Sequence, residues 1–214
     1  MKEQNFLDNL VGVFGHPAAE NPGVVIQEAA FKELRLERWR FLTIDVDPGK
    51  LGDAIAGLKA MKMRGINCTL PHKIDVLKYL DEISPSAELI GAVNMIVNTN
   101  GKLIGDNTDS VGFLANLDAE VDSWDKIPGA AVVLGTGGAA RAIIHGLLQR
   151  GFAPIHLVNR THSRAAALAE RITTVPEDVR LHPRVARIMA DRARMARRDL
   201  PMDWGFAETM AYAT

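Results

Sequence analysis

The chain has 214 residues, 47% of them hydrophobic and 24% charged, the composition of a globular protein with one large or two small domains. Its net charge of −1 gives no overall attraction to nucleic acid or to an anionic membrane. The chain has a single cysteine, no signal peptide and no apolar run of about 18 residues. We therefore expect a cytoplasmic protein with no nucleic-acid or membrane partner.

Short apolar runs and amphipathic segments alternate along residues 1–108, as in an α/β domain with a mostly parallel sheet. Residues 10–14 predict the first strand. Asn21 and Pro22 then predict the N-cap and the first position of a helix. The run RFLTIDV predicts a second strand, and Asp47 with Pro48 opens a second predicted helix, KLGDAIAGLKAMKM.

The third strand is predicted at GINCTL, and the segment HKIDVLKYLDEI predicts a helix with Lys73 in its first turn. AVNMIVNT and KLIGDN predict a hairpin, because the Asn100-Gly101 pair between them is strongly favoured in tight turns. Residues 109–117 predict a connecting helix. The polar, proline-containing run that follows is typical of a linker.

Polar side chains are densest in residues 65–109, in and beside the strands predicted there. Strand ends in an α/β sheet often hold ligands, so these residues predict a site that binds a polyhydroxylated small molecule and moves a proton. The candidates are Asn67, Thr69, Lys73, Asn94, Asn107 and Asp109. The alternative is that Lys73 and Asp109 form a structural ion pair. No Cys/His spacing is typical of a metal site, and we interpret Cys68 as a small buried hydrophobe.

A second pattern, AAVVLGTGGAARAIIHGLLQRG followed by PIHLVNR, predicts a strand, a glycine turn, a helix and a second strand. The turn fits the G-x-G-x-x-G/A fingerprint, in which glycines let the backbone approach a pyrophosphate at a helix N-terminus. Its residues are Gly135, Thr136, Gly137, Gly138, Ala139 and Ala140. We therefore predict dinucleotide binding, with a tight turn that holds no ligand as the alternative.

The end of the second strand of this unit favours NADP over NAD. NAD-binding units usually carry an acidic residue there, whereas this chain has Asn159, Arg160 and Thr161, followed by Arg164. Guanidinium and hydroxyl groups suit the extra 2′-phosphate of NADP. Alternatively, the two arginines only solvate the start of the next helix.

Taken together, these motifs resemble the shikimate dehydrogenase family. The resemblance runs from residue 13 to about residue 172 and rests on the N-x-T-x-P-x-K run, GAVN, NTD, GTGGAAR and NRT-x-x-R. It implies an α/β fold in which residues 1–108 form a substrate-binding and catalytic domain. Residues 109–128 are then a connecting helix and linker, and residues 129–172 an incomplete Rossmann-like NADP-binding domain.

The resemblance also implies reversible reduction of 3-dehydroshikimate to shikimate by NADPH, in the shikimate pathway of aromatic amino-acid biosynthesis, by a monomer or homodimer. Lys73 and Asp109 would be the catalytic pair. Hydride delivery to a ketone leaves negative charge on oxygen, which a cationic donor can stabilise and protonate. Asn67 and Asn94 would bind ring hydroxyls, and Thr69 would lie beside the substrate.

Two features depart from the family pattern. The family's first loop carries a Ser-x-Ser pair for the substrate carboxylate, and here those positions fall on Asn21 and Gly23, close to Glu20. We therefore expect weak activity on shikimate, with quinate or an aminated analogue as other candidate substrates. The alternative function is a nucleotide-binding relative without efficient turnover, either a ligand sensor or an inactive remnant. The second departure is residues 173–214, an arginine-rich tail in which we recognise no family motif.

Overall fold

The computed structural model describes residues 6–172, and the arginine-rich tail at residues 173–214 lies outside the described residues. The strands are β1 (Asn9–Gly15), β2 (Trp39–Asp45), β3 (Gly65–Cys68), β4 (Glu82–Ile83), β5 (Met95–Thr99), β6 (Lys102–Asp106), β7 (Ala131–Leu134) and β8 (Ile155–Val158). The helices are α1 (Gly23–Glu33), α2 (Leu51–Ala60), α3 (His72–Asp75), α4 (Pro85–Ile90), α5 (Asp109–Glu120), α6 (Gly138–Gln149) and α7 (His162–Ile172). None of these helices is long and apolar enough to span a membrane.

Six strands form one sheet in the order β2-β1-β3-β5-β6-β4. β1 lies parallel to both β2 and β3, so the carboxyl ends of these three strands meet at one edge. β5 runs antiparallel to β3 and to β6, and β4 lies parallel to β6. The predicted α/β fold, with a mostly parallel sheet that includes the hairpin of β5 and β6, is therefore confirmed.

The core of this sheet fixes the strands whose ends carry the candidate site residues. Phe14, Ile66 and Ile96 come from neighbouring strands and pack in one cluster with Leu58 of α2. Each of the four is at most 2% exposed. Because burial of one such side chain stabilises the fold by about 1.5–3 kcal/mol, this cluster resists displacement of β1, β3 or β5.

β7 and β8 form a second, two-stranded parallel sheet that packs with α5, α6 and α7. Val133, Ile144 and Leu168 lie in this second core. Gly146 lets α6 approach α5 closely, since a Cβ placed there would lie 3.1 Å from Oγ of Ser110. The structure thus contains the predicted strand, glycine turn, helix and strand in that order.

The prediction of one helix over residues 72–83 is wrong. α3 ends after a single turn, a 3-10 turn follows at Val76–Tyr79, and β4 then joins the sheet. Asp81 donates its backbone N–H to the carbonyl of Leu103, a bond across strands that a continuing helix would not make. Tertiary pairing therefore overrides the helical spacing of the apolar residues.

α4 is absent from the elements predicted above, although its sequence contains a complete set of caps. Ser84 is the N-cap and its Oγ accepts from the backbone N of Ala87, while Pro85 occupies the first position. Gly91 ends the helix at φ 69°, in the left-handed region that glycine adopts without strain. This pattern could have been found from sequence alone.

The prediction of Asn21 as a helix N-cap is also wrong, because α1 begins later. Pro22 occupies the N-cap position, and Oδ1 of Asn21 accepts from the backbone N of Gly23 at 2.9 Å. Such a short-range bond from a side chain to the backbone forms a turn in competition with helix capping. Asn21 therefore shapes the loop before α1 and lies outside the helix.

Candidate active site

Lys73 and Asp109 form a buried ion pair between two parts of the first sheet. Lys73 lies in the single turn of α3, just beyond β3, and Asp109 is the first residue of α5, just beyond β6. Nζ of Lys73 lies 2.7 Å from Oδ2 of Asp109, and the two side chains are 6% and 5% exposed. Two groups 36 positions apart in sequence are thus held at hydrogen-bond distance by the strands that precede them.

Asparagine side chains fix the carboxylate of Asp109. Nδ2 of Asn94 donates to Oδ1 of Asp109 at 2.6 Å and to Oγ1 of Thr108 at 2.9 Å. Oδ1 of Asn107 accepts from the backbone N of Asp109 at 3.0 Å, and its amide donates to the carbonyl of Ala92. The amide of Asn94, which we predict to bind a ring hydroxyl, is therefore engaged with Asp109 and Thr108 in this structure.

Burial raises the pKa of the Asp109 carboxyl, whereas the charge of Lys73 and the hydrogen bonds from Lys73 and Asn94 act in the opposite direction. The balance matters because an ionised carboxylate is stable in a buried site only when charge and donors compensate its lost hydration. Asp109 has both kinds of compensation. The pair can therefore orient an ammonium donor toward a reacting oxygen.

The other predicted substrate residues lie in or after β1 and β3, the strands that precede Lys73. Asn67 lies in β3, half-buried, and Thr69 follows the strand with its methyl group against Gly15. Asn21 lies in the loop after β1, at the same edge of the sheet. Burial raises the pKa of the Cys68 thiol to about 12, which keeps it protonated and agrees with its interpretation as a core residue.

His16 is a residue that the motifs did not identify. Its Nδ1 lies 2.7 Å from Oδ1 of Asp45 and 3.6 Å from Oδ1 of Asp47, and Asp45 also accepts from the backbone N of Ala18. The hydrogen bond to Asp45 raises the pKa of His16 and lowers that of Asp45. The partners are 29 positions apart, so no local spacing in the sequence could have indicated the pair.

The glycine turn between β7 and α6 fits a dinucleotide pyrophosphate. Gly135 has φ 101°, in the left-handed region, and Gly137 precedes the first residue of α6. A Cβ placed on either glycine would meet no atom within 4 Å, so the backbone here borders open space. Its amides and the helix N-terminus can therefore approach a phosphate. Thr136, Ala139 and Ala140 complete the turn, each half-buried.

The predicted 2′-phosphate residues follow β8 at the same edge of the second sheet. Nδ2 of Asn159 donates to the carbonyl of Thr161 at 2.8 Å, which closes the turn before α7. The side chains of Arg160, inside this turn, and of Arg164, in the first turn of α7, are exposed. The arrangement leaves both guanidinium groups accessible to an anion, and their role stays a prediction.

Gly138 connects the glycine turn to the ion pair. A Cβ placed on Gly138 would lie 2.8 Å from Cβ and 3.0 Å from Cδ of Lys73. Real Cβ atoms do not approach other heavy atoms so closely, so only glycine allows α6 to pack on the lysine stem at this distance. The turn predicted to bind the cofactor therefore lies against the residue predicted to protonate the substrate.

An α/β sheet that carries a buried Lys-Asp pair, next to a glycine turn of the Rossmann type, is typical of two-domain dehydrogenases. Two family models identify the family: the shikimate dehydrogenase substrate-binding domain matches residues 13–96, and shikimate / quinate 5-dehydrogenase matches residues 123–191. The chain belongs to the shikimate dehydrogenase family. Because the second match extends to residue 191, the expectation that no family similarity continues past residue 172 is wrong.

Individual relatives agree with the family models. The shikimate dehydrogenase (NADP(+)) of Moorella thermoacetica is 44% identical over 160 residues, which are 75% of this chain and 53% of the relative. The structure of shikimate dehydrogenase from Aquifex aeolicus is similar with a TM-score of 0.73 and 36% identity, covering 79% of this chain and 62% of that one. The ligand-free 5-ketofructose reductase of Gluconobacter sp. strain CHM43 has a TM-score of 0.69 and 44% identity, covering 82% and 62%. The chain spans little more than half the length of the curated relatives it matches.

We predict that Gly138→Ala destabilises the protein by about 1–3 kcal/mol, because the added methyl group would overlap the stem of Lys73. The matched control is Gly137→Ala, the neighbouring glycine of the same turn, where a Cβ meets no atom within 4 Å. Urea unfolding of both variants measures the difference. Equal free energies of unfolding would contradict the close packing of α6 on Lys73.

Proposed function

We propose that the chain catalyses the NADP-dependent, reversible reduction of a ketone in the manner of its family, with 3-dehydroshikimate and shikimate as the family substrates. One observation carries the proposal: the buried Lys73-Asp109 pair lies against Gly138 of the dinucleotide turn. This contact brings a proton donor next to the turn that is suited to a hydride-carrying cofactor. A purely structural ion pair would not need that position.

NADPH, when bound, supplies the hydride that reduces the carbonyl carbon. The ammonium of Lys73 can donate a hydrogen bond to the carbonyl oxygen, stabilise the negative charge that develops there and transfer a proton to it. Asp109 holds Nζ of Lys73 in place, and Asn94 and Asn107 hold Asp109. Asn67 and Thr69, at the end of the adjacent strand, would bind hydroxyl groups of the substrate. In the oxidative direction the neutral amine of Lys73 would accept the proton from the alcohol while the hydride passes to NADP.

We assign one binding role to each of the two sheets. We assign substrate binding and proton transfer to residues 1–108 together with Asp109, and cofactor binding to residues 129–172, joined by α5 and the linker up to residue 128. Arg160 and Arg164 would meet the 2′-phosphate of NADP, and the turn from Gly135 to Ala140 its pyrophosphate. The protein is proposed to act in the cytoplasm, as a monomer or homodimer, on a small molecule.

A second candidate reaction is reduction of 5-ketofructose, the ketone in the name of the Gluconobacter relative. Two observations favour it. That relative is 44% identical to this chain, and the loop after β1 lacks the serine pair expected for an acidic substrate. The same Lys73-Asp109 pair would serve either ketone, since both reactions need protonation of a developing alkoxide.

Replacing Lys73 by methionine tests the proton donor. Lys73→Met keeps the aliphatic stem against Gly138 and removes the ammonium, and it should lower kcat by about 10²- to 10⁴-fold, the usual contribution of general acid-base catalysis. NADP affinity should change little. Steady-state kinetics with NADPH and 3-dehydroshikimate or 5-ketofructose, with calorimetric NADP titration, measures both quantities.

Two further variants separate lost chemistry from lost folding in that experiment. Lys73→Met/Asp109→Asn leaves no unpaired buried charge and should fold, yet stay inactive. Lys78→Met removes an exposed lysine five positions further along and should keep wild-type turnover. Turnover near the wild-type value in Lys73→Met would refute the assignment of Lys73.

Cofactor choice is a separate prediction. Charge-assisted bonds contribute about 1.5–3 kcal/mol each, so one contact from Arg160 or Arg164 to the 2′-phosphate should favour NADP over NAD by more than tenfold. Arg160→Ala/Arg164→Ala should bring the two dissociation constants together by weakening NADP alone. Arg35→Ala, an exposed arginine beside the first sheet, is the control. Equal affinities of the wild-type chain for NADP and NAD would rule out a 2′-phosphate site.

A further inference from the structure

We propose that His72 is a positioning residue for Lys73: its imidazole ties the single turn of α3 to the end of β2 and so holds the ammonium of Lys73 at Asp109. This inference rests on the proposed ketone reduction, in which Lys73 donates the proton. His72 occupies an unspecified position of the N-x-T-x-P-x-K run, so the motif gives it no role. Its role follows from its contacts and its burial.

The imidazole of His72 is a buried tether between two elements. His72 is 1% exposed, and its Nε2 lies 2.8 Å from the carbonyl oxygen of Val46, the residue after β2. A carbonyl oxygen only accepts, so Nε2 carries the hydrogen and donates the bond. The backbone N of Val46 in turn donates to the carbonyl of Gly15 at 2.9 Å. The tether therefore ends on a residue that is itself fixed to β1.

α3 depends on bonds to its surroundings because it is very short. A helix of four residues has few internal hydrogen bonds to keep its orientation. The backbone N of His72 donates to the carbonyl of Thr69 at 2.8 Å, and the carbonyl of Lys73 accepts from the backbone N of Val93 at 2.7 Å. These bonds fix the backbone of the turn at two points. The bond from His72 to Val46 adds a third point, next to Lys73 in sequence.

The second ring nitrogen of His72 indicates that packing alone does not account for a histidine here. With Nε2 donating, Nδ1 is buried and has no hydrogen-bond partner among residues 6–172. A buried polar atom without a partner destabilises the fold, so an apolar ring of similar size would pack at a lower cost. What the histidine supplies is the directed bond to Val46, which an apolar ring lacks.

This bond controls the direction of the Lys73 stem. Nζ of Lys73 lies 2.7 Å from Oδ2 of Asp109, and its Cβ and Cδ lie 2.8 and 3.0 Å from a Cβ placed on Gly138. A small rotation of α3 would therefore move the ammonium away from its partner. Misplacement of a reacting group by about 1 Å can lower a rate about 10²-fold. Loss of the tether should lower kcat more than it changes KM, because substrate binding is assigned to residues outside α3.

Two substitutions of His72 separate the directed bond from the packing. His72→Phe keeps a buried ring and removes the donor, and we expect kcat to fall about 10- to 100-fold while KM for the ketone changes less than about threefold. His72→Gln places an amide nitrogen within reach of the Val46 carbonyl and should recover kcat to within about threefold of wild type. Steady-state kinetics with NADPH and 3-dehydroshikimate or 5-ketofructose measures both constants. Thermal unfolding checks that each variant folds, and His72→Leu replaces His72→Phe if the phenylalanine variant does not.

Ile55→Val is the matched control for stability. It removes one methyl group from a buried position of α2, in the core cluster that also contains Val46. It should lower Tm and leave kcat within about twofold of wild type, since no contact to α3 is lost through a directed bond.

A double-mutant cycle tests whether His72 acts through Lys73. In the Lys73→Met background, His72→Phe should lower the remaining turnover less than about twofold, because the group that it positions has already been removed.

Chemical labelling reports the position of Lys73 without turnover. Lys73 is 5% exposed and bonded to Asp109, so an amine-reactive ester should label it more slowly than the exposed Lys78. Mass spectrometry gives the ratio of labelling at the two lysines. His72→Phe should raise this ratio at least about threefold, because a released amine is more accessible, and His72→Gln should leave it near the wild-type value.

The outcomes separate the positioning role from the proposed reaction. Wild-type kcat in His72→Phe, or a loss that His72→Gln does not recover, overturns the positioning role and retains the proposed function. An equal loss in the Lys73→Met background also overturns it, since His72 then acts independently of Lys73. Absence of wild-type turnover with both ketones refutes the proposed function, and labelling then decides. Faster labelling of Lys73 in His72→Phe supports the positioning role, and unchanged labelling overturns it.

Discussion

The buried ion pair of Lys73 and Asp109 is the interaction on which the arrangement of the site depends. Removing two charges from water costs several kcal/mol per ion unless geometry and hydrogen bonds compensate. Here the carboxylate of Asp109 accepts from Lys73 and from Asn94, which compensates its charge, and Asn107 accepts from the backbone N of Asp109 and holds the residue in place. The starts of α3 and α5, and the ends of β3 and β6, must therefore keep their relative positions for the pair to remain buried.

The same pair also restricts how the second sheet can lie. α5 starts at Asp109 and packs along α6, where Gly146 allows the close approach to Ser110 and Leu114. α6 in turn starts at Gly138, against the stem of Lys73. The chain thus leaves the first sheet at one member of the pair and returns to the other member at the glycine turn. A glycine at each contact allows the close approach, and between α5 and α6 a hydrogen bond of 3.3 Å between Oγ of Ser110 and Nδ1 of His145 adds to it.

Local sequence patterns were sufficient to predict the strands and the hairpin that form through interactions between residues close in sequence. Apolar runs predicted β1, β2, β3, β7 and β8, and the Asn100-Gly101 turn predicted the hairpin. β4 could not be predicted, because its two residues become a strand only by pairing with β6. The motifs also located Lys73 and Asp109, whose contact the structure then supplies. They did not indicate the contact between His16 and Asp45, or that the amide of Asn94 donates to Asp109. Both contacts join residues that are distant in sequence.

The Lys73-Asp109 pair and the loop after β1 are parts of the candidate site with very different energetic constraints. The donor pair is enclosed in a network of buried bonds, where loss of one partner leaves an uncompensated charge at a cost of about 3–5 kcal/mol. The loop of Asn21 and Gly23 is half-buried, and its neighbours Glu20 and Asp47 are exposed, where most substitutions change stability by less than about 0.5 kcal/mol. Substitutions in the loop can therefore be made without disturbing the pair. That separation explains how a buried Lys-Asp pair is compatible with a loop in which Asn21 and Gly23 occupy the positions expected for the family's serine pair.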